Sequence, residues 1–213
     1  MEKKVSGFLD DLLVRYPILE KQKDNILEVY QILETAFEKG NKLLVAGNGG
    51  SAADAEHIVG ELMKGFVKRR PLDETILSEL DRVDKEEGRV IGEKLQGALP
   101  AIALVDHVAL STAFLNDVDP LLSFAQQVNG YGKEGDVFLG ISTSGNSKNI
   151  LSACTMAKAK GMKVVGLTGC MGGKLKEMAD AVIIVDEMET YKIQELHLPI
   201  YHTLCLMLEE RFF

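Results

Sequence analysis

Residues 44–62 read LVAGNGGSAADAEHIVGEL. An apolar run ends in a glycine-rich turn, and Ser51 opens a helical stretch that carries His57 and Glu61. Strand, tight turn and helix in that order begin a βαβ unit. The free N–H groups of a helix N-terminus then sit at the carboxyl end of a strand, where an anion is readily held. One helical turn further on, His57 and Glu61 are four residues apart. They share a face, about 40° from each other around the axis. The segment therefore joins a ligand cradle to two groups able to bind a metal or move a proton.

Working outward, the same alternation recurs. KLLVAG (42–47), PAIALVD (100–106), DVFLGIS (136–142), KVVGLTG (163–169) and AVIIVD (181–186) read as buried strands. Between them, 51–65, 119–132, 147–161 and 172–180 read as helices, with a last helix over about 190–211. Residues 1–40 are also helical in pattern, with Gly40 as a stop. Residues 72–99 are charge-rich and read as one or two exposed helices broken near Gly88, an insertion serving as solvated surface, lid or subunit contact. Alternating strands and helices predict an α/β fold: a doubly wound, five-stranded parallel sheet flanked by helices, in a single domain over 1–213. Ligands in such sheets bind beyond the carboxyl ends of the strands, and both glycine-rich turns fall there.

Composition narrows the function. The 213 residues suffice for one domain with a core, and 46% hydrophobic with 26% charged residues is a globular balance. No apolar run is long enough to span a bilayer, and the start lacks a signal-peptide pattern, so a cytoplasmic location and no membrane partner are expected. A net charge of −8 argues against nucleic acid as a partner. Cys154, Cys170 and Cys205 are scattered, which fits free thiols rather than a disulfide framework.

The second cradle is ISTSGNS (141–147). Ser142, Thr143, Ser144 and Ser147 place four hydroxyls around Gly145, at the start of a helix. Hydroxyls and helix N–H groups suit the phosphate monoester of a small molecule. The first cradle, GNGGS (47–51), offers Asn48, Gly49 and Ser51. It is neither a P-loop nor GxGxxG.

With both cradles placed, the chain resembles the sugar isomerase (SIS) domain family, and within it the phosphoheptose isomerases. GNGGSAADAEH, LNDVDP, EGDVFLGISTSGNSKNI, LTGCMGGKL and IQELHLPIYH carry the resemblance in order; only 72–99 falls outside it. The resemblance implies phosphate held by Ser142, Thr143, Ser144 and Ser147, sugar contacted by Ser51, and a substrate-reaching pair at Asn116 and Asp117. It implies zinc on His57, Glu61, Gln194 and His202, and a homotetramer with active sites between subunits. One departure stands out. The family's glycine-arginine pair after EL is replaced by Lys64 and Gly65; Lys64, Lys68 and Arg69 are the cations at hand to replace its charge.

The implied reaction is an aldose–ketose isomerisation of a small phosphorylated sugar through an enediol. Glu61 is the candidate base and His202 the acid/base partner. Gln194 and His202 are eight residues apart, about 12 Å along one helix. They either lean toward one metal or serve different points. His107 and His197 read as structural, and Pro199 as a local bend. Two other readings share these loops: a phosphosugar-binding regulator of the kind that binds the replication initiator, and an isomerase of a different phosphosugar.

Overall fold

The structure, a computed structural model, describes residues 3–213. Its strands are β1 Leu43–Ala46, β2 Ala101–Ala103, β3 Val137–Ser142, β4 Lys163–Thr168 and β5 Ala181–Ile184. Among the described residues they form one all-parallel sheet in the order β2-β1-β3-β4-β5. The helices are α1 Lys3–Arg15, α2 Lys23–Glu38, α3 Gly50–Met63, α4 Glu74–Val83, α5 Lys85–Lys94, α6 Val108–Asp117, α7 Ser123–Tyr131, α8 Lys148–Ala159, α9 Gly173–Met178 and α10 Thr190–Phe212.

Side chains alternate across each strand, and the alternation divides the core in two. Leu43, Val45, Val137, Leu139, Ile141, Val165 and Leu167 meet the apolar faces of α1, α2, α3 and α10. Leu44, Ala46, Phe138 and Val164 meet α7, α8 and α9 on the opposite side. Both faces of the sheet are covered, which is why its strands are nearly continuous apolar runs. From β1 the chain winds to β2 on one side, then crosses to β3 on the other. The order therefore reverses between β1 and β3, and the crevice beyond their carboxyl ends is the expected ligand position.

The expected fold class is the one observed, with local differences. The N-terminal helical region is interrupted at Pro17, where a 3₁₀ segment, Pro17–Gln22, separates α1 from α2. The break in the inserted segment falls at Asp84, not near Gly88. Asp84 accepts hydrogen bonds from the N–H groups of Glu86 and Glu87 and so starts α5; Gly88 lies inside that helix. Helix α6 was not expected. VALSTAFLND has no clear apolar stripe, and none of its residues is buried, so the periodic signal of a core-facing helix is missing. α7 starts at Ser123 rather than 119. α10 passes through Pro199 as one continuous helix.

Candidate active site

The site is assembled where α3 and α10 lie side by side at the carboxyl edge of the sheet. α3 begins at the turn after β1. Ser51, in its first turn, is 3% exposed. Gln194 of α10 packs on the same turn: a Cβ placed on Gly50 would stand 2.6 Å from its Nε2. Two turns later along both helices, the three expected polar groups meet. His57 Nε2 lies 3.3 Å from Glu61 Oε1 and 3.4 Å from His202 Nε2. The two imidazole rings are edge to face, with centroids 4.9 Å apart, and Phe66 leans on His202. Burial, then the neighbouring His57, pushes the His202 pKa down, so this imidazole is neutral near pH 7. A neutral ring can accept a proton or hold a metal.

The structure thus brings together His57, Glu61 and His202, and places Gln194 a step away, on the first turn of α3. Among the described residues, no group of three His, Cys, Asp or Glu side chains is placed to hold a metal ion. The residue types and two of the distances would nonetheless fit one. The two contacts of His57 match the edge of about 3.3–3.4 Å that tetrahedral zinc with bonds of about 2.0–2.1 Å imposes on its ligand atoms. Two imidazoles and a carboxylate are also a common donor set for that ion.

The second cradle closes the crevice from the β3 side. Ser142 and Ser147 share a hydrogen bond of 2.9 Å between their hydroxyls. Ser144 Oγ accepts from Asn146 N–H, while Thr143 stands between them on the loop. Gly145 has φ +66, and a Cβ there would lie 1.9 Å from Gly172 O, so the turn tolerates no side chain. Ser147 precedes α8 without capping it through its side chain, which leaves the helix N–H groups facing the loop. Asn48 and Asn149 then tie the cradles together: each amide donates to the other, at 3.0 and 2.8 Å. Asn116 donates to Asp117 at 2.7 Å, at the exposed end of α6, so this expected pair is bonded to itself rather than to either cradle.

Several participants escaped the sequence reading. Asn149 is one, hidden because its partner lies 101 positions away. Tyr201 is another: its hydroxyl is 3.0 Å from His57 Nδ1 and donates to Asp54 Oδ1 at 3.3 Å. Asp54 stands one turn before His57 on α3, a spacing that was readable. Asp106, three residues past β2, is a second carboxyl beside Glu56 and pushes its pKa up.

The cations near the departure from the family pattern are also placed. Lys64 reaches Glu61 at 3.3 Å, and Lys68 pairs with Glu210 at 2.6 Å. Arg69 is exposed. Arg70, which the sequence reading did not consider, is fully buried. It donates to Glu209 Oε1 and to the carbonyls of Leu62 and Glu61. His197 is buried with both ring nitrogens unpaired, and burial lowers its pKa to about 4. It is a neutral core ring, as expected.

A cavity of about 500 Å³ lies elsewhere, lined by Thr35, Lys39, Asn41, Glu134 and Lys163. It opens at the amino ends of β3 and β4, away from both cradles. The chemistry of the site and the sheet topology both favour the crevice instead.

Comparison with known proteins bears on the family and the fold. A SIS domain model matches residues 11–95 and 91–169. The phosphoheptose isomerase of Aneurinibacillus thermoaerophilus is 40% identical over 204 residues, covering 96% of this chain and 85% of its own. Phosphoheptose isomerase 2 of Campylobacter jejuni is 39% identical, with 97% and 90% covered. Among solved structures, a phosphoheptose isomerase from Francisella tularensis superposes with a TM-score of 0.76 at 31% identity, covering 97% of both chains. The one from Neisseria gonorrhoeae gives 0.74 at 28% identity, covering 98% of both.

Proposed function

We infer that this chain, which belongs to the phosphoheptose isomerase family of SIS-domain proteins, interconverts sedoheptulose 7-phosphate and a D-glycero-heptopyranose 7-phosphate. The whole chain is read as one SIS domain, with the α4–α5 hairpin as its insertion. The observation that carries the reading is the contact of Glu61, His57 and His202 beside a phosphate-type cradle in the crevice between β1 and β3.

In this reading, Ser142, Thr143, Ser144, Ser147 and the N-terminus of α8 hold the phosphate. Asn48, Gly49 and Ser51 line the sugar's path to the reacting carbons. Glu61 removes the proton from the carbon beside the carbonyl, and His202 moves protons between the two oxygens. Lys64, close to Glu61, supplies a positive charge where relatives carry arginine, as a point charge rather than a two-pronged donor. His57, Glu61 and His202 would hold a zinc ion, toward which Gln194 would lean from two turns away on α10. When bound, that ion polarises the carbonyl and stabilises negative charge on the enediolate.

The catalytic unit is a homotetramer with sites between subunits. Support comes from α6, whose Val108 and Leu115 are 71% and 65% exposed, and whose Asn116 and Asp117 need a site beyond their own. The protein is read as cytoplasmic; among the described residues, no helix is long and apolar enough to cross a membrane. The test is NMR of sedoheptulose 7-phosphate in D2O with purified protein, with and without zinc. A new heptose 7-phosphate carrying deuterium at C2 supports the reading. Bound substrate without turnover, zinc present, overturns it.

A further inference from the structure

We propose that Tyr201 and Asp54 act as a positioning pair for His57, fixing its ring as the tautomer that presents the Nε2 lone pair to Glu61 and His202. The role in metal holding rests on the zinc reading given above; the tautomer itself does not.

The Tyr201 hydroxyl lies between two groups, His57 Nδ1 at 3.0 Å and Asp54 Oδ1 at 3.3 Å. A phenol has a single proton to give. The other oxygen of Asp54, Oδ2, is buried and has no partner. Among the described residues, Tyr201 is thus the one donor to this carboxylate, and its proton goes to Asp54. The phenol oxygen must then accept from His57, so Nδ1 carries the hydrogen and, in the neutral ring, Nε2 carries the lone pair. The opposite tautomer would give Glu61 an N–H to accept but would draw the tyrosine proton to Nδ1, leaving the buried Asp54 carboxylate without its donor.

Packing keeps the arrangement in place. Tyr201 is 2% exposed and meets both imidazoles edge to face, with centroids 5.4 Å from His57 and 5.0 Å from His202. Asp54 and His57 come from α3, Tyr201 and His202 from α10. The same contact therefore sets the tautomer of one ring and the separation of the two helices that carry the reactive groups. Partners that orient a ligating histidine in this way affect metal affinity without touching the metal.

Two readouts test it. In metal-free protein, 15N NMR of the His57 ring should show the Nδ1–H tautomer, and Tyr201→Phe should give a tautomer mixture. In a competition assay against a chromophoric chelator, Tyr201→Phe and Asp54→Ala should each weaken zinc binding about 10–100-fold. The double variant should lose no more than the worse single one, because the pair works as a unit. Asp54→Asn, which keeps an acceptor for Tyr201, should retain most of the affinity. Tyr201→Phe strands the buried Asp54 carboxylate and should lower the melting temperature of the metal-free protein, whereas the double variant, which removes both partners, should recover part of that loss. An Nε2–H tautomer in wild type, unchanged zinc affinity in Tyr201→Phe, or fully additive losses would each overturn the proposal. A wild type that shows the Nδ1–H tautomer but binds no zinc would support the pair and overturn the zinc reading.

Discussion

Two polar clusters lie along the interface of helices α3 and α10, and they are built on opposite terms. At the far end, Arg70 and Glu209 are fully buried and saturated. Arg70 donates to Glu209 and two carbonyls and stacks on Phe213 at 4.8 Å. Glu209 also accepts from the N–H groups of Phe66, Val67 and Lys68. At the near end, His57, Glu61 and His202 touch at 3.3–3.4 Å, longer than good hydrogen bonds, and His57 is 42% exposed. A cluster whose every polar atom has a partner holds structure together. A cluster with spare capacity, open to the crevice, is free to do chemistry. The same two helices anchor the insertion at one end and present reacting groups at the other.

The sharpest way to break this comparison is at Glu61. Glu61→Gln should lower kcat by about 10²–10⁴-fold, the usual worth of a positioned general base, with little change in melting temperature. A variant that keeps most activity would remove Glu61 from the base role.

Arg70→Met should do the reverse. Leaving Glu209 buried without its partner should cost about 3–5 kcal/mol of stability, read by urea unfolding. Arg70→Met with Glu209→Gln should recover part of that loss, because no charge is left unpaired and the amide oxygen still accepts from the loop's N–H groups.

The same pair gives a pH dependence. Burial pushes the Glu209 carboxyl up, but the Val67 and Phe66 N–H groups and the Arg70 guanidinium outweigh it, so its folded pKa is depressed. A depressed carboxyl contributes stability that is present above its unfolded pKa of about 4.3 and is lost as pH falls through the folded value. Wild type should therefore lose its advantage over the Arg70→Met, Glu209→Gln variant below about pH 4, as followed by urea midpoints from pH 7 to 3.

A smaller effect is expected at the phosphate loop. Ser147→Ala removes one hydroxyl and leaves Gly145 and the helix N-terminus intact. It should raise KM about 2–10-fold, the worth of one net hydrogen bond, with kcat nearly unchanged. The smallest effect belongs to the hairpin. α4 and α5 pack chiefly on each other, so replacing 74–94 by a short glycine-serine linker should leave the melting temperature close to wild type.

Much of this molecule was legible in its sequence. Five apolar runs separated by helical stretches left no other economical fold. The glycine turn after β1 and the hydroxyl loop after β3 marked the crevice, because tight turns and helix starts are local events. His57 with Glu61 was readable as one helix face. Helix α6 was not, since the periodicity that betrays a helix comes from a buried stripe and α6 buries nothing in this chain. Nor was the true turn at Asp84, where a side-chain cap outweighed the glycine four residues on.

What the sequence alone determined, then, is everything set by neighbours along the chain: the strands, the turns, the helix faces and the two cradles. Only the tertiary structure decided which distant groups meet. It set His202 against His57, Tyr201 between His57 and Asp54, Asn149 against Asn48, and spent Arg70 on Glu209 instead of on a ligand. The physical reason is that a side chain's partners depend on how α3 and α10 are rotated and aligned in the packed core. No spacing within either helix carries that information.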